Sequence, residues 1–318
     1  MILLVTNRRD VTSDHVVLEL QRRSLPYARL NTEDLPSARS CWRLNGGHPT
    51  WTIAFNGRTL DLSAVTAAYL RRPLPPDLAE LADLGERRYA ASEWMALLDA
   101  LYDHLGDRWL NVPTAMARAE DKLRQLTIAS ELGFKVPETM VSNDAEAVEA
   151  FVDDATIVKP LRNGMVTGAA GQSVIFTSRL TGGLRPEDWA GISLAPFIVQ
   201  REIVKAYDVR VTVVGLRVFS VAIHSQHAAE SQTDWRRGDV LALSHTTHPL
   251  PTEVESRVRA LVAGLGLRFG AIDLVLDRDG AYWFLEINPN GQWAWVEAMT
   301  GLQIAAAIVD ELQGIAQA

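Results

Sequence analysis

The sequence predicts a mixed α/β protein built of two or three packed subdomains. Three observations lead there. The chain opens on a strand–helix–strand alternation and closes on paired strands flanked by amphipathic helices, and its 318 residues are too many for one comfortable hydrophobic core.

Taken in order, Ile2 to Val5 is a short apolar run that reads as a buried first strand. Ser13 to Arg23 carries Val16, Val17 and Leu20 at helical spacing, and Tyr27 to Leu30 reads as a second strand. This is a βαβ unit, the usual beginning of a parallel sheet. Trp51 to Phe55 and Arg58 to Leu62 flank Asn56-Gly57, a strong hairpin signal. Ala67 to Leu70 is a further strand, ending in Arg71, Arg72 and Pro73. A long helix is expected from about Glu86 to Leu105, with Trp94, Leu98, Leu101, Tyr102 and Leu105 on one stripe. Asn111-Val112-Pro113 breaks the chain and separates a first α/β domain, residues 1–112, from the remainder of the protein.

Beyond the break, Asp121 to Leu132 reads as a helix closed by Gly133. Thr156 to Val158 is a strand leading into Lys159-Pro160. A loop with Gly164, Gly168 and Gly171 then precedes a strand at Ser173 to Phe176. Phe197 to Val199, Val209 to Val214 and Arg217 to Ile223 are strands, the last two paired around Gly215. Residues 226–247 are polar and irregular. Thr252 and Glu255 form a capping box for a helix carrying Val254, Val258, Leu261, Val262 and Leu265. A hairpin and a helix from about Leu302 to Leu312 complete the chain.

Composition narrows the function. Hydrophobic residues make up 47% and charged residues 22%, an ordinary globular balance. A single cysteine, Cys41, rules out an internal disulfide framework and suits the reducing cytoplasm. The first apolar run is too short for a signal-peptide core, and no stretch is long and charge-free enough to span a bilayer. A net charge of −8 argues against a broad nucleic-acid surface, while leaving room for a basic cleft that holds a small polyanion. The expectation is a cytoplasmic protein that binds neither membrane nor nucleic acid.

The segment Ala271 to Asn288 is the most informative. A two-residue turn at Asp279-Gly280 pairs Arg278 with Ala281. Counting outward, Leu276 faces Trp283, Leu274 faces Leu285 and Ile272 faces Ile287, which makes one apolar face. On the other face Asp273 lies across from Glu286, with Asn288 two residues on. Two carboxylates about 5 Å apart repel by roughly 3 kcal/mol at an effective dielectric near 20. Either one is protonated or a cation sits between them. Two carboxylates and an amide oxygen are hard ligands that suit Mg²⁺. A solvated face without ligand is the competing account, and a three-residue turn would shift the facing by one.

Other residues bear on the same site. Lys122 begins a helix and Lys159 ends a strand, so each can reach a phosphate as a point charge; the competing account for either is a side chain snorkelling to water. The backbone of the loop Asn163 to Gly171 can fold over phosphate oxygens, although it lacks the Walker pattern. In Gln200-Arg201-Glu202-Ile203, backbone groups at a strand edge can pair with adenine, leaving Glu202 or Asp208 for ribose hydroxyls. Arg210 points to the side opposite Val209 and Val211, where it either stabilises a transferring phosphoryl group or forms a surface ion pair.

In this order the residues resemble the ATP-grasp superfamily over roughly Pro113 to Ala318. The matching pieces are Asp121-Lys122-Leu123, Val158-Lys159-Pro160, Gln200-Arg201-Glu202, Asp208-Val209-Arg210, and Gly270-Ala271-Ile272-Asp273 with Phe284-Leu285-Glu286-Ile287-Asn288-Pro289. The resemblance implies a pre-ATP-grasp α/β domain at 1–112, a lid with the glycine loop at 113–195 and a C-terminal mixed sheet at 196–318. It implies ATP held by Lys122, Lys159, Gln200, Glu202, Ile203 and Asp208, Mg²⁺ held by Asp273, Glu286 and Asn288, and Arg210 and Lys159 as the catalytic cations. The family reaction turns a carboxylate into an acyl phosphate that a nucleophile then attacks.

Within the superfamily, Asn290-Gly291-Gln292-Trp293-Ala294-Trp295-Val296-Glu297 resembles the enzymes that macrocyclise graspetides, the microviridin-type ribosomal peptides. Arg71-Arg72 and Thr233-Asp234-Trp235-Arg236 are similar to that group too. It implies a precursor-peptide partner, with a leader and an acidic, hydroxyl-bearing core, and a homodimer. Core packing is the competing account for Trp293 and Trp295. Two other activities stay open: a ligase of the ribosomal-protein glutamate ligase type, and a non-catalytic ATP-binding regulatory module.

Overall fold

The computed structural model describes residues 1–162, 164–168, 171–180, 184–227, 229–239 and 242–317. Strand β1 (Ile2–Thr6), helix α1 (Val11–Arg22) and strand β2 (Tyr27–Asn31) form the expected βαβ unit. Asp10 caps α1 by accepting from the Ser13 N–H. Strands β3 (Arg39–Asn45), β4 (His48–Phe55) and β5 (Arg58–Asp61) make a separate antiparallel sheet. The sequence reading missed β3 because its residues are largely exposed and leave no alternating apolar pattern. Strand β6 (Ala67–Leu70) returns beside β1, giving the parallel order β2-β1-β6, and helix α2 (Leu84–Leu105) follows.

The expected break at Pro113 is the start of helix α3 (Pro113–Ala119), with the proline in the first turn, where no N–H is needed. Helix α4 (Lys122–Glu131) is capped by Asp121. Then come β7 (Thr139–Ser142), α5 (Ala145–Phe151), β8 (Thr156–Lys159), β9 (Met165–Gly168), β10 (Gly171–Val174), β11 (Ser178–Arg179), α6 (Pro186–Ile192) and β12 (Phe197–Arg201). The glycine-bearing loop is therefore mostly a two-stranded ribbon, β9 against β10, with Gly168 opposite Gly171. The loop expected at Asn163 to Gly171 is only partly covered, since Asn163, Ala169 and Ala170 lie outside the described residues. Pairing in the order β11-β8-β12-β7 carries the central sheet to Arg201, past the division expected at residue 195.

The last part holds β13 (Lys205–Val214), β14 (Arg217–Ile223), β15 (His245–Thr247), α7 (Thr252–Gly264), β16 (Phe269–Asp277), β17 (Tyr282–Asn288), α8 (Ala294–Thr300) and α9 (Ile304–Gln317). Its sheet is antiparallel, in the order β15-β14-β13-β16-β17. The capping box expected at Thr252 is absent. Pro251 takes the cap position in an extended conformation, so Thr252 is already helical and makes no capping bond.

One core runs from Leu3 and Val5 through Leu98, Leu101 and Trp109 to Val209, Ile272 and Phe284. A second joins Ile2, Leu4 and Leu20 to Trp293, Ile304 and Ile308. The first and last sheets thus share buried apolar surface on both sides. Asn111, buried at their junction, donates to the Phe269 and Pro289 carbonyls and accepts from the Arg268 and Phe269 N–H groups. The central sheet has its own small core of Ala145, Val148, Ile192 and Val199.

Candidate active site

Three neighbouring strands set one row of side chains. Arg210 on β13 lies opposite Asp273 on β16, and Asp273 lies opposite Glu286 on β17. The facing of the two acids is as expected, but the route to it differs. The hairpin turns through three residues: Asp277 N–H donates to the Ala281 carbonyl, and Gly280 takes a left-handed φ of 84°. That alone would move the register by one. A bulge between Asp273 and Leu274 moves it back, so Leu276 faces Tyr282 and Leu274 faces Phe284, while Asp273 still faces Glu286. The apolar face is correspondingly changed. Phe284 is fully buried in the core, and Leu285, expected there, lines the cleft beside Glu286.

Asp273, Leu285 and Glu286 lie on the floor of a cleft of about 410 Å³. Lys122, Lys159, Gln200, Asp208, Asp273, Glu286 and Asn288 all line it, joined by Arg162, Asp234, Trp235 and Arg236. The repulsion between the facing acids is met by side-chain cations, an answer the sequence reading did not include. Arg210 Nη1 donates to Asp273 Oδ1 at 2.9 Å. Lys122 Nζ lies 3.3 Å from Glu286 Oε2, and Arg236 Nη1 donates to Glu286 Oε1 at 3.1 Å. Burial opposes ionisation of Glu286, but Arg236, Lys122 and Lys159 outweigh it and hold its carboxyl down at about 2. Lys159 is pulled the other way: burial, with Lys122 and Arg236 beside it, lowers its ammonium to about 8 against the attraction of Glu286 and Asp234. Asn288 Oδ1 accepts from the Asn290 N–H, which aims the amide oxygen along the loop after β17.

Three expected site residues are not among those that line this cleft. Strand β12 is not an edge strand: it is hydrogen-bonded to both β7 and β8. At its end, the Arg201 and Glu202 N–H groups donate to the Glu138 and Ala155 carbonyls, so neither N–H is free for adenine. The Glu202 carboxylate accepts from Arg179 Nε at 2.6 Å, and neither Glu202 nor Ile203 lines the cleft. Arg210 lies behind Asp273, 6% exposed, and donates from Nη2 to the Gln292 carbonyl. Its contacts orient Asp273 and the turn after β17, and it does not reach the cleft wall. Asp208 does line the cleft, but its carboxylate accepts from Lys205 Nζ at 2.8 Å and from the Ser225 hydroxyl, and burial raises its pKa despite both.

The turn at Asn290–Gln292 is clamped from two sides. Buried Arg71 pairs with Asp10 and donates to the Asn290 and Gly291 carbonyls, while Arg210 holds Gln292. A Cβ on Gly291 would come within 2.3 Å of the Ala271 Cβ and 2.9 Å of Arg210 Nη2, so only glycine fits. Arg72, next to Arg71, takes a positive φ of 44°. Trp293 is fully buried in the second core, with its Nε1 toward the Tyr69 hydroxyl. Trp295 packs between Trp235, tilted against it, and His245, which meets it edge-on.

Sequence reasoning missed Gln125 and the position of Arg236. The Gln125 side chain donates to the Ile287 carbonyl at 2.8 Å and accepts from the Ile287 N–H at 3.0 Å, completing the free edge of β17. Arg236 lies in a segment with no periodicity to aim it.

Residues 119–312, more than half of the chain, match the family described as the RimK-like ATP-grasp domain. A probable alpha-L-glutamate ligase of Chromohalobacter salexigens is 26% identical over 209 residues, 64% of this chain and 66% of that protein. Among solved structures, the macrocyclase MdnC of Microcystis aeruginosa MRC, bound with its precursor peptide MdnA, has a TM-score of 0.85 at 27% identity, covering 98% of this chain and 99% of that one. The macrocyclase MdnB of the same organism has a TM-score of 0.81 at 29% identity, covering 98% of each chain. No helix among the described residues is long and apolar enough to cross a membrane. With its paired acids on adjacent strands at the floor of a cationic cleft, the chain belongs to the RimK-like ATP-grasp family of enzymes.

Proposed function

We propose that the protein is an ATP- and magnesium-dependent ligase that closes side-chain ester or amide bonds in a ribosomally made precursor peptide with a leader and an acidic, hydroxyl-bearing core. The observation that carries this reading is the pair Asp273 and Glu286, face to face on the floor of a cleft whose walls present Lys122, Lys159 and Arg236. Such walls suit a polyanion, and such a floor suits a hard divalent cation. The donor set this reading assigns is Asp273 and Glu286 with the Asn288 amide oxygen, all three lining the cleft. That set fits magnesium, which leaves positions for phosphate and water, better than a zinc site.

When bound, ATP and Mg²⁺ supply a phosphoryl group and neutralise the charge that moves with it. The chain's own residues do the rest. Lys122 and Lys159 hold phosphate oxygens, and Leu285 and Ile157 offer apolar surface to a base. Arg210 fixes Asp273, and Gln125 fixes the strand that carries Glu286. A substrate carboxylate oxygen takes the phosphoryl group; a hydroxyl or amine then attacks the acyl carbon, and phosphate leaves. Likeness over nearly the full length of a peptide macrocyclase favours a precursor peptide as substrate. The likeness to a glutamate ligase, over about two thirds of the chain, keeps amino-acid addition as the rival.

Phosphate release and peptide mass, measured together, test the proposal. A macrocyclase releases phosphate only with its peptide, and each event removes one water from the peptide mass. A gain of one amino-acid mass establishes the rival, and turnover in neither assay leaves the regulatory module. Glu286→Gln should keep the fold, since its side chain is partly exposed, and lose turnover by more than about a hundredfold.

A further inference from the structure

We propose that Arg236 is a resident counter-ion of Glu286 that a divalent cation has to displace, and that the displaced guanidinium, still held by Asp234, then serves as an anion ligand of the cleft. The inference rests on the reading of Glu286 as a metal ligand and assigns Arg236 a role in loading that site.

Both Glu286 oxygens are engaged by protein cations, Oε1 by Arg236 and Oε2 by Lys122. Asp273 Oδ1 is engaged by Arg210. A metal on Glu286 therefore competes with a side chain of the same sign. Of the two groups on Glu286, Arg236 is built to let go without losing its place. Its Nε donates to Asp234 Oδ1 at 2.9 Å and its Nη2 to Asp234 Oδ2 at 3.1 Å, a bidentate grip that leaves only Nη1 on Glu286. Asp234 is buried, 4% exposed, and its Oδ1 also accepts from the Arg236 N–H, so the anchor is part of the backbone turn. Between them Trp235 packs on Trp295, and Trp295 on His245, tying the turn to α8 and β15. The arm is fixed at its base and exposed at its tip, with the Arg236 side chain 45% exposed.

The charge pattern gives this exchange a consequence. Lys122 and Arg236 engage Glu286 and Lys159 lies beside it, so a divalent cation arriving alone meets three positive groups in the cleft. Arriving with a polyanion, it meets balanced charge, and Nη1 of Arg236 is released toward that anion. Metal and nucleotide are thereby coupled, each favouring entry of the other.

Titration of the full-length protein with Mn²⁺ alone, read by the electron paramagnetic resonance signal of free Mn²⁺, tests the exchange without turnover. Arg236→Ala should bind Mn²⁺ roughly three- to tenfold more tightly than the natural protein, the value of one half-exposed ion pair. With ADP present that advantage should vanish or reverse, because the natural guanidinium then binds the anion. Arg236→Gln removes the charge while keeping a donor toward Asp234, and serves as the readout if the alanine variant loses the turn. Unchanged or weaker Mn²⁺ binding in both variants, with binding abolished in Glu286→Gln, overturns the role of Arg236 and leaves the metal assignment standing. Unchanged binding in Glu286→Gln overturns the metal assignment itself.

Discussion

Lys159 ends β8 with its ammonium in the cleft, where burial brings it to about 8. Below that pH it is charged and can hold a phosphate oxygen; above it the charge, and the contact, are lost. Nucleotide affinity measured by calorimetry should therefore fall as pH rises through about 8. Lys159→Arg, which stays charged, should show weaker but pH-independent affinity over the same range. An alkaline limb that persists in the arginine variant would remove Lys159 from the phosphate site. Lys122, Lys159, Asp273 and Glu286 were legible in the sequence because they stand in short motifs that carry the ATP-grasp resemblance, and all four line the cleft. Arg236 was not, because it reaches the cleft from an irregular segment whose course depends on the Trp235–Trp295 contact with a distant helix.

Among the elements, the β16–β17 hairpin shows how two local departures cancel. A three-residue turn and a bulge each shift the ladder by one, and together they restore the facing of Asp273 and Glu286. The bulge leaves Leu285 without a partner on β16, in the stretch from Leu285 to Pro289 that lines the cleft, and puts Phe284 in the core against Phe134. Phe284→Ala should cost about 3–5 kcal/mol in denaturant unfolding. Leu285→Ala should cost about 1 kcal/mol or less but weaken nucleotide binding severalfold. The reverse ranking would place Leu285 in the core and discredit the bulge. A count of alternating residues cannot detect this bulge, since the inserted Leu285 is apolar like Phe284 before it and passes for a core position. In the same way β12 reads as an available edge from its own residues. Only the pairing of β7 and β8 on either side, which joins segments far apart in sequence, closes it.

At the scale of the whole molecule, the first and last sheets are fused through two shared cores, whereas the central sheet has a smaller cluster of its own around Ala145, Val148, Ile192 and Val199. Low burial makes local opening cheap. Hydrogen exchange should be faster in β7, β8 and β12 than in β13 and β16, and nucleotide should slow it in the central sheet. Equal protection in both sheets would mean that the cleft is built on a single rigid frame. The sequence by itself determined the α/β succession and, through the family resemblance, the acids and lysines of the site, because element periodicity and short motifs are local. The facing of Asp273 and Glu286 it reached through a two-residue turn that the structure replaces with a longer turn and a bulge. Only the tertiary structure decided which cation neutralises which acid, that Arg210 stands behind Asp273, and that Arg236 stands in front of Glu286. Those facts depend on contacts between segments distant in the chain, which no local pattern encodes.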